Sequence, residues 1–250
     1  MAVSEAFIGT SGWEYKEWAD DFYSEVKPRD HFVFYARQFN TVEINATFYR
    51  LPGLSAVHSW RERAPHGFVF AIKGSRFITH IKRLNDLQGS VNKFFRRIRP
   101  LHSKMGPILW QLPPNFPKDI KRLNVFLRRL PQDYSHAFEF RHSTWFDSET
   151  KTLLQNHNAA LVWVSSMKMP EDFSVTANFA YIRFHGLSGG PRHDYTQTEL
   201  APWAKLIREQ IIAGRRVYAY FNNDLNVRAP KNAASLRELC GVKGPLNQSV

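Results

Sequence analysis

Short apolar runs rich in β-branched and aromatic residues alternate along the chain with longer stretches whose apolar positions recur at helical spacing. The runs fall at 6–11, 41–45, 68–73, 107–112, 136–141, 160–164, 179–185 and 216–222. Between and after them, residues 29–39, 54–63, 86–104, 118–130, 147–156, 198–213 and 232–240 read as helices, with Thr198 the expected N-cap of the sixth. The stretch 165–178 is the least regular connection and leaves room for a short helix at most. Strands that alternate with helices imply parallel βαβ units, and eight of them imply closure into a barrel. An open doubly wound sheet would usually carry a glycine-rich loop after its first strand, and neither GxGxxG nor GxxxxGK[ST] occurs. No linker, tandem repeat or low-complexity run divides the chain. The expected fold is α/β, a single eight-stranded parallel β/α (TIM-type) barrel, with residues 1–250 forming one domain. A length of 250 residues suits that fold.

Composition narrows the class. Hydrophobic residues make up 43%, which excludes a disordered chain. The lone cysteine, Cys240, excludes an internal disulfide and any CxxC site, and suits a reducing compartment. The first residues show no secretory signal, and no apolar stretch is long enough to span a bilayer. A cytoplasmic protein without membrane contact is expected. The formal net charge of +12 would attract phosphorylated metabolites or nucleic acid, and equally serves solubility.

The candidate chemistry lies at the strand ends. Buried parallel strands should read as near-continuous apolar runs, yet nearly every run here ends in polar residues. Side chains two apart share a strand face. Glu43 with Asn45, Glu139 with Arg141, Arg183 with His185, and Tyr220 with Asn222 are such pairs. Helices cover the outer faces, so these pairs are expected inside the barrel at its carboxyl mouth, where active sites of this fold sit. Glu43, Glu139 and His185 are the candidate proton-transfer groups. Lys73, Arg141 and Arg183 would hold an anion; Asn45, Gln111, His142, Asn222 and Asn223 would orient it. A purely structural ion-pair network is the alternative reading for Glu43, Glu139, Arg141 and Arg183, disfavoured because buried pairs add little net stability. His80, Trp13 and Tyr15 could also reach the mouth. Gly189 and Gly190, after the seventh run, could expose backbone N–H groups to phosphate. The basic segment 93–99, with Arg96, Arg97 and Arg99, reads as a solvated amphipathic face or as a phosphate-contacting surface.

The stretches IGTSGW from Ile8, TVEINATFY from Thr41, QLPP from Gln111, EFRH from Glu139, YIRFHG from Tyr181 and YFNN from Tyr220 resemble domain-of-unknown-function family 72, the YecE-like family, in order and over nearly the whole chain. The resemblance implies a β/α barrel and brings no reaction with it. A more distant likeness, to metal-dependent barrel nucleases of the endonuclease IV kind, would imply a metal cluster of His, Asp and Glu. The mouth here departs from that pattern: Lys73, Arg141 and Arg183 would repel metal ions, so no metal ligand is assigned and no cofactor is named. The expected function is a polar site at the strand ends that acts on a small anionic phosphate- or sugar-containing substrate. The alternatives are a nucleic-acid-associated protein or a metal-dependent phosphodiesterase.

Overall fold

The computed structural model describes residues 5–85, 88–242 and 244. Its strands are β1 (Ala6–Thr10), β2 (Thr41–Ile44), β3 (Val69–Lys73), β4 (Met105–Gln111), β5 (His136–Glu139), β6 (Ala160–Ser165), β7 (Phe179–Phe184) and β8 (Arg216–Phe221). They form one eight-stranded sheet in the order β1-β8-β7-β6-β5-β4-β3-β2, with parallel pairing throughout. The α/β barrel read from the alternation is therefore the fold.

Closure between β1 and β2 is the weak seam, made by one close approach and a few hydrogen bonds. Gly9 lets the strands approach, since a Cβ there would lie 2.4 Å from the Thr41 carbonyl oxygen. The Tyr35 hydroxyl accepts from the Thr10 amide at 3.0 Å and donates to the Thr41 carbonyl at 3.0 Å, standing in for a missing ladder bond. At the mouth, Ser11 pairs with Glu43 as an isolated parallel bridge, and the Gly12 amide donates to the Glu43 carbonyl at 2.8 Å.

Alternation sorts the strand residues into two cores. Phe7, Ala71, Leu109, Val162, Tyr181 and Tyr220 belong to a cluster that fills the barrel. Ile8, Val42, Ile72, Phe138, Trp163 and Ile182 face outward into a larger cluster shared with the helices. Those helices are α1 (His31–Gln38), α2 (Ala46–Tyr49), α3 (Leu54–Arg63), α4 (Gln88–Ile98), α5 (Ile120–Arg129), α6 (Ser148–Asn156), α7 (Gln197–Ile212) and α8 (Arg228–Leu239).

Three local expectations change, and the connection after β6 is the irregular one expected. The helix expected over 86–104 ends at Ile98, because Pro100 has no N–H to continue the ladder and a 3-10 turn, Arg99–Lys104, takes over. Asp86 and Leu87, its expected start, lie outside the described residues. The N-cap of α7 is Thr196, not Thr198: Thr196 and Glu199 form a reciprocal capping box. The connection 166–178 holds no helix; Thr176 ties it to β6 by accepting from the Leu161 amide and donating to the Ala159 carbonyl, both at 2.7 Å. Helix α8 begins at Arg228 rather than at residue 232. On α4, Val91, Phe94, Phe95 and Ile98 are buried while Lys93 and Arg96 are exposed, an amphipathic face of the ordinary kind. No helix among the described residues is long and apolar enough to cross a membrane.

Candidate functional site

The top layer of the barrel interior is an ion-pair network centred on Arg183. This residue sits on β7 two positions after Tyr181, so both point inward. Its Nη1 donates to Glu139 Oε2 at 2.6 Å and its Nη2 to Glu43 Oε1 at 2.8 Å. Glu43 also accepts from Ser11 Oγ at 2.7 Å and from the Tyr181 hydroxyl at 2.7 Å. Glu139 Oε1 accepts from Arg141 Nε at 2.8 Å. Glu43, Glu139 and Arg183 are fully buried.

Burial alone would raise the carboxyl of Glu43, but Arg183 and Lys73 beside it, with the Ser11 and Tyr181 hydrogen bonds, bring it below its ordinary value. Glu139 is opposed by burial in the same way and is held well below the ordinary value by Arg183 and Arg141. Both are carboxylates at neutral pH. Burial pushes the Tyr181 hydroxyl well up, and the neighbouring Glu43 charge adds to this, so Tyr181 stays a donor.

Around this network lies a looser shell. Lys73, the last residue of β3, is 9% exposed. Its Nζ sits over the Phe48 ring, 4.3 Å from the centroid. Burial and the nearby Arg183 charge lower its pKa to about 7, against a pull upward from Glu43 and Glu139. Gln111 ends β4 directly beside Glu139 in the ladder. Its Oε1 is buried with no donor among the described residues, as is Oδ1 of Asn45. The Asn45 amide nitrogen donates to Asn222 Oδ1 at 3.3 Å, which joins the β2 and β8 ends across the seam. Nε2 of His185 lies 3.3 Å from both Arg183 Nη1 and Glu139 Oε1. Burial lowers its pKa, Glu139 counteracts, and Arg183 lowers it further. His80 follows β3 in a five-residue π-helical turn, Phe77–Ile81, and packs edge-on to the Phe48 ring at 5.0 Å. Burial and the Lys73 charge hold its pKa down to about 4.

Glu43, Glu139, Arg141, Arg183 and His185 thus converge, together with Lys73; Gln111 ends β4 and Asn45 and Asn222 directly follow β2 and β8 at the same mouth. Two residues expected there point elsewhere. Asn223 is one position past Asn222, hence on the other face; its amide donates to the His193 carbonyl at 2.8 Å and to Asn232 Oδ1 at 2.7 Å, behind the barrel wall. His142, one past Arg141, caps the turn Ser143–Trp145 and bonds Thr144 Oγ1 at 2.9 Å. Arg183, expected to grip an anion, has both Nη groups committed to carboxylates. The loop after β7 is also occupied: the Gly186 amide donates to the Tyr195 hydroxyl and the Gly190 amide to the Leu187 carbonyl, both at 3.0 Å. The strand-end pattern assigns no role to Ser11 or Tyr181, which the structure places in the network. Their signal was parity, since Tyr181 shares a face with Arg183 and Ser11 with Gly9.

A metal cluster of the kind the distant nuclease likeness implied does not fit these residues. The Arg183 guanidinium fills the gap between the two carboxylates, and among the described residues no group of three or more His, Cys, Asp or Glu is placed to hold an ion.

Fold and mouth together define a parallel β/α-barrel protein whose strand ends carry a locked ion-pair network beside unsatisfied polar groups. The family described as "Protein of unknown function DUF72" matches residues 7–249, and the chain belongs to that family. It is similar to the UPF0759 protein YecE of Escherichia coli (strain K12), 33% identical over 141 residues that cover 56% of this chain and 50% of that one, so the aligned part spans half of that relative. The UPF0759 protein YunF of Bacillus subtilis (strain 168) is 26% identical over 95% of both chains. The crystal structure of a DUF72 family protein from Thermotoga maritima MSB8 superposes with a TM-score of 0.87 at 26% identity, covering 95% of this chain and 99% of that one. One from Enterococcus faecalis V583, with a TM-score of 0.84 at 19% identity over 98% of this chain and 99% of that one, shares the fold.

Proposed function

We propose that the barrel mouth binds a small anionic substrate that also carries hydroxyl groups, such as a sugar phosphate or sugar acid, and catalyses proton transfer on it. The observation that carries this reading is the pair of buried acceptors without donors among the described residues, Gln111 Oε1 and Asn45 Oδ1, at the same barrel mouth as Lys73 and Arg141. A buried acceptor left unpaired costs about 1–3 kcal/mol. Substrate hydroxyls would supply the donors. The anionic group would meet Arg141, whose side chain is 31% exposed, and Lys73. Charge supports the same sign. Glu43 and Glu139 balance Arg183 and Arg141, which leaves Lys73 as the surplus cation of the five. Lys73, with a pKa of about 7, and His185, held toward its neutral form, are the groups suited to moving a proton at neutral pH. Glu43 and Glu139, saturated by donors, act as supports.

Thermal denaturation with inorganic phosphate and with ribose 5-phosphate tests the reading. Both are expected to stabilise, by about 2.7 kcal/mol at a hundredfold excess over the dissociation constant, with ribose 5-phosphate binding more tightly. Arg141→Met is expected to remove the phosphate increment. Absence of stabilisation by either compound, or increments unchanged in Arg141→Met, would overturn the proposal.

A further inference from the structure

We infer that Lys73 captures a carbonyl: its Nζ adds to the aldehyde or ketone carbon of a bound anionic substrate and holds it as an imine. This rests on the anion-binding reading above and extends it to a substrate class, hydroxylated anions with a carbonyl group, and to a covalent step.

The argument begins with where the amine sits. Lys73 closes β3 at the carboxyl end, and its backbone is fixed there by Thr47, whose Oγ1 donates to the Lys73 carbonyl at 2.6 Å. The side chain lies almost wholly within the mouth, over the apolar Phe48 ring. Among the described residues no carboxylate lies within 4.0 Å of its Nζ, although Glu43 and Glu139 are in the same layer. Those carboxylates are consumed by Arg183, Ser11, Tyr181 and Arg141. A lysine kept for ion pairing would take one of them. Here the nitrogen is desolvated beside a guanidinium with its lone pair unclaimed, the environment that activates amine nucleophiles. The charged and titratable groups that face it are Arg183, Arg141, Glu43, Glu139 and His80.

The chemistry balances within the mouth. The Nζ lone pair forms a C–N bond while the C=O π pair moves to oxygen, which takes a proton; nitrogen sheds one, giving a carbinolamine. Nitrogen then gives up its remaining proton, the C–N double bond forms, and the hydroxyl leaves with a proton as water. No oxidant or reductant is consumed. His80 and His185, both held toward their neutral forms, are the groups that relay these protons. Gln111, on the neighbouring strand, has a buried acceptor to receive a substrate hydroxyl.

The test incubates the full chain with glyoxylate or with dihydroxyacetone phosphate, reduces with sodium borohydride, and maps adducts by peptide mass spectrometry. Lys73 is expected to be labelled at least tenfold faster at pH 7 than the average surface lysine, because its neutral fraction exceeds theirs by about a thousandfold. The rate should rise as pH passes about 7 and flatten above it, and phosphate should suppress it. Lys73→Arg keeps the cation; it is expected to retain stabilisation by phosphate and lose the adduct. Phosphate stabilisation with Lys73 labelled no faster than surface lysines overturns the imine and leaves the anion site standing. A Lys73 adduct indifferent to phosphate overturns the shared site. No stabilisation by phosphate and no adduct overturns both.

Discussion

The β7 side of the mouth and the β2–β4 side use the same kinds of residue to different ends. Around Arg183, the two terminal nitrogens meet two carboxylates, and Ser11, Tyr181 and Arg141 fill the carboxylates' remaining positions; only its Nε lacks a partner. Around Lys73, the amine rests on a ring, and on this side Gln111 and Asn45 hold acceptors for which no donor lies among the described residues. The first region has the greater charge and the lesser capacity to bind anything more. Charge density therefore marks the support of this site, and unfilled hydrogen-bonding capacity marks the part that meets a ligand.

The largest effect expected from this contrast is on the support. Arg183→Met leaves the fully buried Glu43 without its paired cation and Glu139 with Arg141 alone, and breaking a buried pair in this way costs about 3–5 kcal/mol, read as a fall in the denaturant midpoint at pH 7. The deficit should shrink in acid. Glu43 and Glu139 have folded pKa values below the ordinary 4.5. Their contribution is complete above the unfolded value and is lost as pH falls through the folded one. A parent protein equally stable at pH 7 and pH 3, or an Arg183→Met protein as stable as its parent at pH 7, would show that the network is not the support described.

Lys73→Met is expected to act in the opposite direction. Its folded pKa of about 7 lies below the unfolded value of 10.5, so between those values the unfolded chain binds a proton that the folded chain lacks. Stability rises with pH across that window. The cost of burying this amine is complete below about pH 7 and relieved toward pH 10.5. Lys73→Met should therefore raise stability at pH 6, by roughly 1–3 kcal/mol, and much less at pH 10. A loss of stability at pH 6 would move Lys73 into the support and erase the contrast.

How much of this was legible in the sequence follows from what alternation encodes. Parity along the strands put Glu43 with Asn45, Glu139 with Arg141 and Arg183 with His185 on one face, and the barrel brought those faces together. Parity equally excludes Asn223 and His142, each one residue beyond an inward-facing neighbour, although both are polar. Thr196 was recoverable too, because Glu199 three residues on completes the capping-box pattern. The division of labour was not legible. Which cation reaches which carboxylate depends on the stagger between strands, which places Glu43 and Glu139 within reach of the same Arg183 fork and leaves Lys73 over Phe48. The π-helical turn at Phe77–Ile81 that delivers His80 likewise depends on packing rather than on any local pattern.

The smallest expected effect discriminates most closely, because it compares two conservative edits of similar size. Tyr181→Phe removes one hydroxyl that donates to Glu43 at 2.7 Å, leaving part of a buried carboxylate unpaired at a cost of about 1–3 kcal/mol. Gln111→Leu removes an amide whose buried oxygen has no donor. Replacing an unsatisfied polar group by an apolar one of similar volume is close to neutral or slightly stabilising, so the denaturant midpoint should move by less than the Tyr181→Phe shift, or upward. Ligand response should reverse the ranking. Tyr181→Phe is expected to keep the stabilisation by ribose 5-phosphate, because the hydroxyl faces the network and not the opening. Gln111→Leu is expected to lose the advantage of ribose 5-phosphate over inorganic phosphate, because the acceptor for a sugar hydroxyl is gone while Arg141 and Lys73 remain. If Gln111→Leu destabilises as much as Tyr181→Phe and leaves the ribose 5-phosphate increment intact, the Gln111 amide belongs to the scaffold, and the unfilled acceptor is no guide to where the substrate lies.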